Sequence, residues 1–383
     1  MLFRSRVHLE DFAEQANLVG EDGFHRFPLG ELPEMTVSLS GDLAREFAEL
    51  DRRLVRVRDA TEALMEDDTL TDLVEAWLRI LASQSSRIGG ATALWEDLAQ
   101  QRAADQVPRA RWLRIREVGM QPDIFVNSSP IAVDGLLQQM LWQRCFAAVV
   151  TSATLSVGGD FSRFARAAGL SKDQHFRSLP SPFNFEEQAT LMIPALASDP
   201  RDQDAHSEAV AEDLPRRLLD TKAALVLFTS WRQMQQVEDL LPTDFARDLL
   251  VQGGLSRTEM IRTHKERVDQ GGRSILFGLA SFAEGVDLPG RYCEHVVIVK
   301  IPFSVPDDPI SATLCEWIDS QGGNAFNEIS VPDATIRLVQ ACGRLLRTEQ
   351  DTGTISILDR RLVSQRYGKR MLSAMPPFRR VVE

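Results

Sequence analysis

The sequence predicts an α/β protein in which a doubly wound, parallel sheet follows a mostly helical region. Three observations predict it. The first hundred or so residues carry apolar side chains at helical intervals, later short runs that are apolar throughout alternate with helical segments, and the residues after those runs are hydroxyls, acids, glycines and arginines. Continuous apolar runs suit strands buried on both faces, and in such sheets ligands sit at the carboxyl ends of the strands.

From Gly41 to Glu66, the residues Leu43, Phe47, Leu50, Leu54, Val57 and Leu64 recur at helical spacing, with Thr61 filling the one gap. That is the stripe of a helix packed on a partner helix. A second helical stretch carries Leu73, Trp77, Leu78 and Leu81, and a third, beyond Gly89 and Gly90, carries Leu94, Trp95 and Leu98. No strand alternation is expected here. After Gln106-Val107-Pro108 the runs Ala147 to Val150, Ala224 to Phe228, Leu249 to Val251, Ile275 to Phe277, Val296 to Val299 and Thr354 to Leu358 predict the strands of the sheet.

At 383 residues, 44% hydrophobic and 26% charged, the chain is long enough for two or three domains and has the composition of a globular protein, not a disordered one. Cys145, Cys293, Cys315 and Cys342 are scattered with no Cys-x-x-Cys pair, which argues against a disulfide framework, a zinc site or a complete iron-sulfur site, and no metal ligands are expected in this chain. The first residues lack the apolar core of a signal peptide and no run approaches the ~20 apolar residues of a membrane span, so a cytoplasmic protein without membrane partners is expected. A net charge of -12 does not suggest nucleic acid, although Arg360, Arg361, Arg366, Lys369, Arg370, Arg379 and Arg380 concentrate positive charge near the C-terminus. A solvated charged helix accounts for that cluster equally well.

The residues after the strands carry the chemistry. Thr151-Ser152-Ala153-Thr154 is a hydroxyl-rich turn able to bond phosphate oxygens, a carboxylate or its own backbone. Thr229-Ser230-Trp231-Arg232 supplies hydroxyls, an aromatic ring and a cation, the Trp serving either as core or as a platform for a base. Ser281 to Gly290 sets two carboxylates, Glu284 and Asp287, around Gly285 in a loop that lets a ligand approach the backbone. In Gln340-Ala341-Cys342-Gly343-Arg344-Leu345-Leu346-Arg347, helical geometry would set Gln340, Arg344 and Arg347 on one face, with Gly343 mid-helix where a close approach is the usual reason for glycine. Two permanently charged planar forks one turn apart suit the oxygens of a transferring phosphoryl group.

Taken in order, Thr-Ser-Ala-Thr, Glu-Gly-x-Asp and Gln-x-x-Gly-Arg-x-x-Arg resemble motifs III, V and VI of superfamily 2 helicases, within them the iron-sulfur branch of XPD-like and DinG-like enzymes, with Phe228 to Arg232 similar to motif IV. The likeness runs from about residue 105 to the C-terminus and includes Ser181 to Asn184, Leu250 to Gly253 and Asp359 to Leu362. It implies a RecA-like fold: residues 1–104 as part of the family's arch insertion, 105–192 as the rear of a first motor domain, and 193–383 as a second motor domain. It implies ATP in the cleft between motors, with Arg344 and Arg347 on the γ-phosphate, Gln340 positioning them or the attacking water, and Glu284, Gly285, Asp287 and Gly343 linking nucleotide to arginines. Thr151, Ser152 and Thr154 would couple hydrolysis to movement, and Thr229, Ser230, Trp231, Arg232 and Ser281 would meet nucleic acid. The implied partners are single-stranded and forked DNA, with 5′ to 3′ translocation, unwinding and a role in repair.

The sequence departs from that family in three places. It has no Gly-x-x-x-x-Gly-Lys-Ser/Thr loop, no Asp-Glu-x-His-type box for Mg²⁺, and no spaced cysteines for the family's 4Fe-4S cluster. Phosphoryl transfer needs the cradle, the metal and the arginine together. The expectation is therefore the C-terminal portion of a helicase that needs the missing N-terminal half of the motor and is not catalytically competent alone. The alternative is a non-catalytic protein that binds nucleic acid or a helicase partner. A Rossmann-type enzyme finds no Gly-x-Gly-x-x-Gly after an early strand.

Overall fold

The computed structural model describes residues 23–66, 70–103, 105–118, 121–152, 154–171, 173–196, 198–279, 282, 285–304 and 308–383. The chain divides into two compact units, Met1–Val133 with Pro306–Ala325, and Asp134–Val305 with Phe326–Glu383. The expected divisions at 104 and 192 follow motif order, a different criterion from compactness.

In the first unit, helices Glu34–Glu62 and Thr71–Ala99 form a hairpin. Ser85 donates to Asp51 at 2.9 Å and Gly41 lies against Ala99, the pairing of antiparallel partners. Leu43, Ala44, Trp95 and Leu98 are its core, whereas Val57, Leu64, Leu73 and Trp77, at the other end of the expected stripe, are exposed. The second helix runs unbroken through Gly89 and Gly90, which corrects the expected division into two stretches. Two glycines cost roughly 1 kcal/mol each, and the burial of Trp95 and Leu98 just beyond them offsets that. A three-stranded antiparallel sheet packs in the same unit, built from β1 (Phe24–Phe27), β2 (Arg109–Val118) and β3 (Gln121–Pro130) in the order β1-β2-β3. β1 corrects the expectation of a strand-free region. Its four residues hold as a strand by pairing with β2, from Phe24 opposite Arg114 to Phe27 opposite Arg111. Helix Pro309–Ser320 joins this unit through Glu316, which accepts both terminal nitrogens of Arg26 at 2.8 and 2.6 Å and the Leu29 N–H at 2.7 Å.

The second unit is built on a seven-stranded parallel sheet. Its strands are β4 (Ala189–Ile193), β5 (Ala223–Phe228), β6 (Leu249–Val251), β7 (Ser274–Leu279), β8 (His295–Ile298), β9 (Gly353–Ile357) and β10 (Arg379–Val382), in the order β10-β4-β9-β8-β5-β7-β6. β5, β7 and β8 are covered on both faces, which is why they read as nearly continuous apolar runs. Along β5, Leu225 and Leu227 enter one core while Ala224, Val226 and Phe228 enter the other. Five of the six expected strands are present. The sixth, Ala147 to Val150, is not a strand, and Phe146 and Val149 stand almost fully exposed. An extended segment becomes a strand only when neighbours take its N–H and C=O groups, and no described strand pairs with it.

The basic C-terminal cluster is used partly for structure. Arg361 holds the fully buried Asp359 through a two-pronged contact, Arg379 bonds Thr190 Oγ1, and Arg380 donates to the Leu372 carbonyl.

Candidate functional site

Three strand ends in the second unit open side by side, since β5, β7 and β6 are neighbours in the sheet. After β5, the Ser230 hydroxyl caps helix Trp231–Leu240 by accepting the Gln233 N–H. After β6, Gln252 Oε1 accepts the Leu279 N–H at 2.8 Å, and Ser256 caps helix Arg257–Asp269. After β7 come Phe282, Gly285, Val286 and Asp287; Ser281 and Glu284 lie outside the described residues. Trp231, Gln252, Gly253, Arg257 and Phe282 line a cleft of about 340 Å³ at these ends.

The loop after β7 is held from two sides. Arg257 donates from Nη2 to the Phe282 carbonyl and lies over the Phe282 ring at 5.4 Å. A Cβ on Gly285 would stand 2.6 Å from Arg257 Nη2 and 2.9 Å from its Cζ, so glycine is what lets the guanidinium lie against the loop. From the other side, Arg344 Nη1 and Arg347 Nη2 both donate to the Val286 carbonyl, at 3.3 and 3.0 Å, and Arg347 Nε stands 3.4 Å from Asp287 Oδ1. Asp287 is largely exposed, so that ion pair adds little stability by itself.

The arginines come from a turn and not from a helix. Helix Val331–Cys342 ends at Cys342, and Gly343 is its C-terminal cap with φ of -65°, so the expected mid-helix glycine is corrected to a boundary residue. A Cβ there would meet only ordinary contacts, 3.4 Å from the Val339 carbonyl oxygen, so no close approach among the described residues requires the glycine. Gln340 is half-buried in the last turn of the helix. Asp351, nearly fully buried, anchors the turn by accepting the N–H groups of Arg347 and Thr348 at 2.7 and 2.9 Å and the Thr348 hydroxyl at 2.5 Å. Burial alone would raise the Asp351 carboxyl, but the hydrogen bonds from Thr348 and the Arg347 N–H outweigh it and hold the group below its ordinary range.

Of the residues named from sequence, the structure therefore brings Arg344, Arg347 and Asp287 together around the Val286 carbonyl. Thr151 and Ser152 are exposed, and the Ser152 and Thr154 hydroxyls bond each other at 3.1 Å in a local turn. Arg232 is exposed and stands 3.7 Å from Asp204. Sequence reasoning missed Arg257 and Asp351. Neither carries a local signal, because each acts on backbone that only the fold brings close.

Residues 217–378 match the helicase C-terminal domain family. The chain is 36% identical over 372 residues to the ATP-dependent DNA helicase DinG of Photobacterium profundum, covering 96% of this chain and 54% of that protein. It is 34% identical over 368 residues to the ATP-dependent DNA helicase DinG of Escherichia coli (strain K12), covering 94% and 51%. The chain thus spans about half the length of the curated relatives it matches. Its fold is like a solved structure described as "XPD_APO", with a TM-score of 0.54 at 14% identity over 99% of this chain and 69% of that one. The parallel sheet with its covering helices is an α/β fold of the RecA-like type. Over nearly its whole length the chain is homologous to the DinG helicases, and it carries a helicase C-terminal domain.

Proposed function

We propose that the chain acts as the C-terminal portion of a DinG-type, ATP-dependent DNA helicase, residues 193–383 serving as the second motor domain. The observation that carries this reading is the convergence of Arg344 and Arg347 on one carbonyl oxygen. A guanidinium is permanently charged and its planar fork of donors matches phosphate oxygens, so two of them meeting at one loop carbonyl suit ATP, with Asp287 3.4 Å from Arg347 to orient it. The residues present fit the arginine side of an ATP site only, because the sequence holds no phosphate-cradling loop and no acidic Mg²⁺ box. The missing half of the motor would supply both, along with the cysteines for a 4Fe-4S cluster. Among the described residues no group of three or more His, Cys, Asp and Glu is placed to hold a metal ion.

Single-stranded DNA would run over the carboxyl ends of β5, β6 and β7. The helices capped by Ser230 and Ser256 aim their first-turn N–H groups there, where phosphates are favoured, and Trp231 stands 43% exposed beside them. Movement would be 5′ to 3′, serving repair of DNA in the bacterial cytoplasm; no helix among the described residues is long and apolar enough to cross a membrane. The helical hairpin of the first unit would form part of the arch, with the segment around Thr151 to Thr154 belonging to the first motor. The test is ATP hydrolysis by the purified 383-residue chain with and without single-stranded DNA. The reading expects no DNA-stimulated hydrolysis, and stimulated hydrolysis that Arg344→Ala abolishes would refute the need for the other half.

A further inference from the structure

We propose that the cleft between Trp231 and Arg257 receives one unstacked nucleobase of a single strand, an assignment that rests on the nucleic-acid reading of this face. At about 340 Å³ the cleft falls at the lower end of the ~300–1,000 Å³ range of ligand sites, far more than a water needs. Its chemistry is that of a heteroaromatic ring with polar edges. Trp231, the first residue of its helix, leaves 43% of its surface open instead of burying in the core. The indole rests on Gly253, where φ is +101° and a Cβ would come within 3.1 Å of the ring. Both facts favour glycine there, and its bare backbone seats the ring. The planar cation of Arg257 lines the same cleft, and a guanidinium stacks on bases as readily as on the Phe282 ring it already covers.

Gln252 adds a directional group. Its Oε1 is held by the Leu279 N–H, which fixes the amide and leaves the NH₂ end as a donor to a base carbonyl or ring nitrogen. A phosphate would have no use for the indole, and an aliphatic ligand none for the amide and the cation. The two flanking helix N-termini meanwhile suit phosphates on either side of an inserted base.

The experiment compares binding of a labelled oligothymidylate with binding of a strand of the same length made of abasic sites, which keeps the phosphates and removes the bases. Trp231→Ala is expected to weaken the base-bearing strand roughly fivefold to a hundredfold, the range for one base–aromatic stack, and to leave the abasic strand unchanged. Trp231→Phe is expected to restore most of the loss, which a merely structural role would not require. Equal weakening of both strands, or of neither, overturns the base pocket while the phosphate-binding reading stands. Failure of the unaltered chain to bind either strand at low salt refutes the nucleic-acid reading and the pocket's ligand with it.

Discussion

Removing the Asp351 carboxylate tests whether the arginine turn is held as described. The carboxylate accepts three hydrogen bonds, two from backbone N–H groups and one from the Thr348 hydroxyl, and is only 5% exposed. Hydrogen bonds to a charged acceptor contribute about 1.5–3 kcal/mol each, and the N–H groups recover part of that from water once the side chain is gone. Asp351→Ala should therefore lower the stability of the second unit by about 2–4 kcal/mol, a fall in melting temperature on the order of 10 °C for a unit of this size. Asp351→Asn keeps the shape. Its amide oxygen can still accept both N–H groups, and its NH₂ can donate to the Thr348 oxygen, so the loss should be only about 1 kcal/mol, the difference between a charged and a neutral acceptor. Urea unfolding of the two variants with unchanged denaturant slope gives the comparison. Equal destabilisation by Asn and Ala, or none by Ala, would mean that Asp351 does not anchor the turn.

Other consequences follow from the same geometry. Gly285→Ala should cost about 1–2 kcal/mol by displacing Arg257 from the Phe282 carbonyl, and the cost should vanish in an Arg257→Ala background, a coupling read from the four-member mutant cycle; an equal cost in both backgrounds would remove Arg257 from the account. Burial, aided by Arg217, depresses the His295 imidazole to about 4, and burial also lowers His206 and His264. These rings are neutral in the fold, so above pH 6.5 they have no effect; as pH falls below 6.5 the unfolded chain takes up protons first and stability declines, until it levels below the folded values. His295 alone should contribute a loss of about 2 kcal/mol between pH 7 and pH 5, and equal unfolding midpoints at the two pH values would contradict its burial as a neutral ring. A thiol reagent should modify exposed Cys145 quickly, while Cys293 and Cys342, buried and pushed up, Cys293 to about 12, should react only as the second unit unfolds.

The part of the fold most legible in the sequence was the part whose residues are chosen by burial alone. Strands β5, β7 and β8 could be read because both faces of the sheet are covered there, leaving little polar alternation to confuse the pattern, and β9 could be read although Thr354 and Ser356 alternate with Ile355 and Ile357. β2 could not, because one of its buried side chains is Arg111, whose guanidinium turns inward to the carbonyls of Gly30, Asp97 and Gln100 and so disguises a buried position as a charged one. Ala147 to Val150 failed in the opposite sense: the residues are apolar enough for a buried strand, but a strand also needs neighbours, which composition cannot report. At the site, Arg344, Arg347 and Asp287 were visible as chemistry waiting for a partner. Their meeting point was not, because it is the carbonyl of Val286, a backbone atom present at every position. Arg257 left a single trace, the glycine at 285, which the sequence assigns to the approach of a ligand and the fold fills with the Arg257 guanidinium.

The central claim is that Arg344 and Arg347 complete an ATP site whose cradle lies in another part of the motor. It is tested most directly by replacing the matching half of the Escherichia coli DinG helicase with this chain and measuring ATP hydrolysis stimulated by single-stranded DNA. The account predicts that the chimera hydrolyses ATP and that Arg344→Ala or Arg347→Ala lowers its rate by about 10³-fold or more, as loss of an arginine finger does. A chimera whose rate stays within about tenfold when either arginine is removed would contradict it.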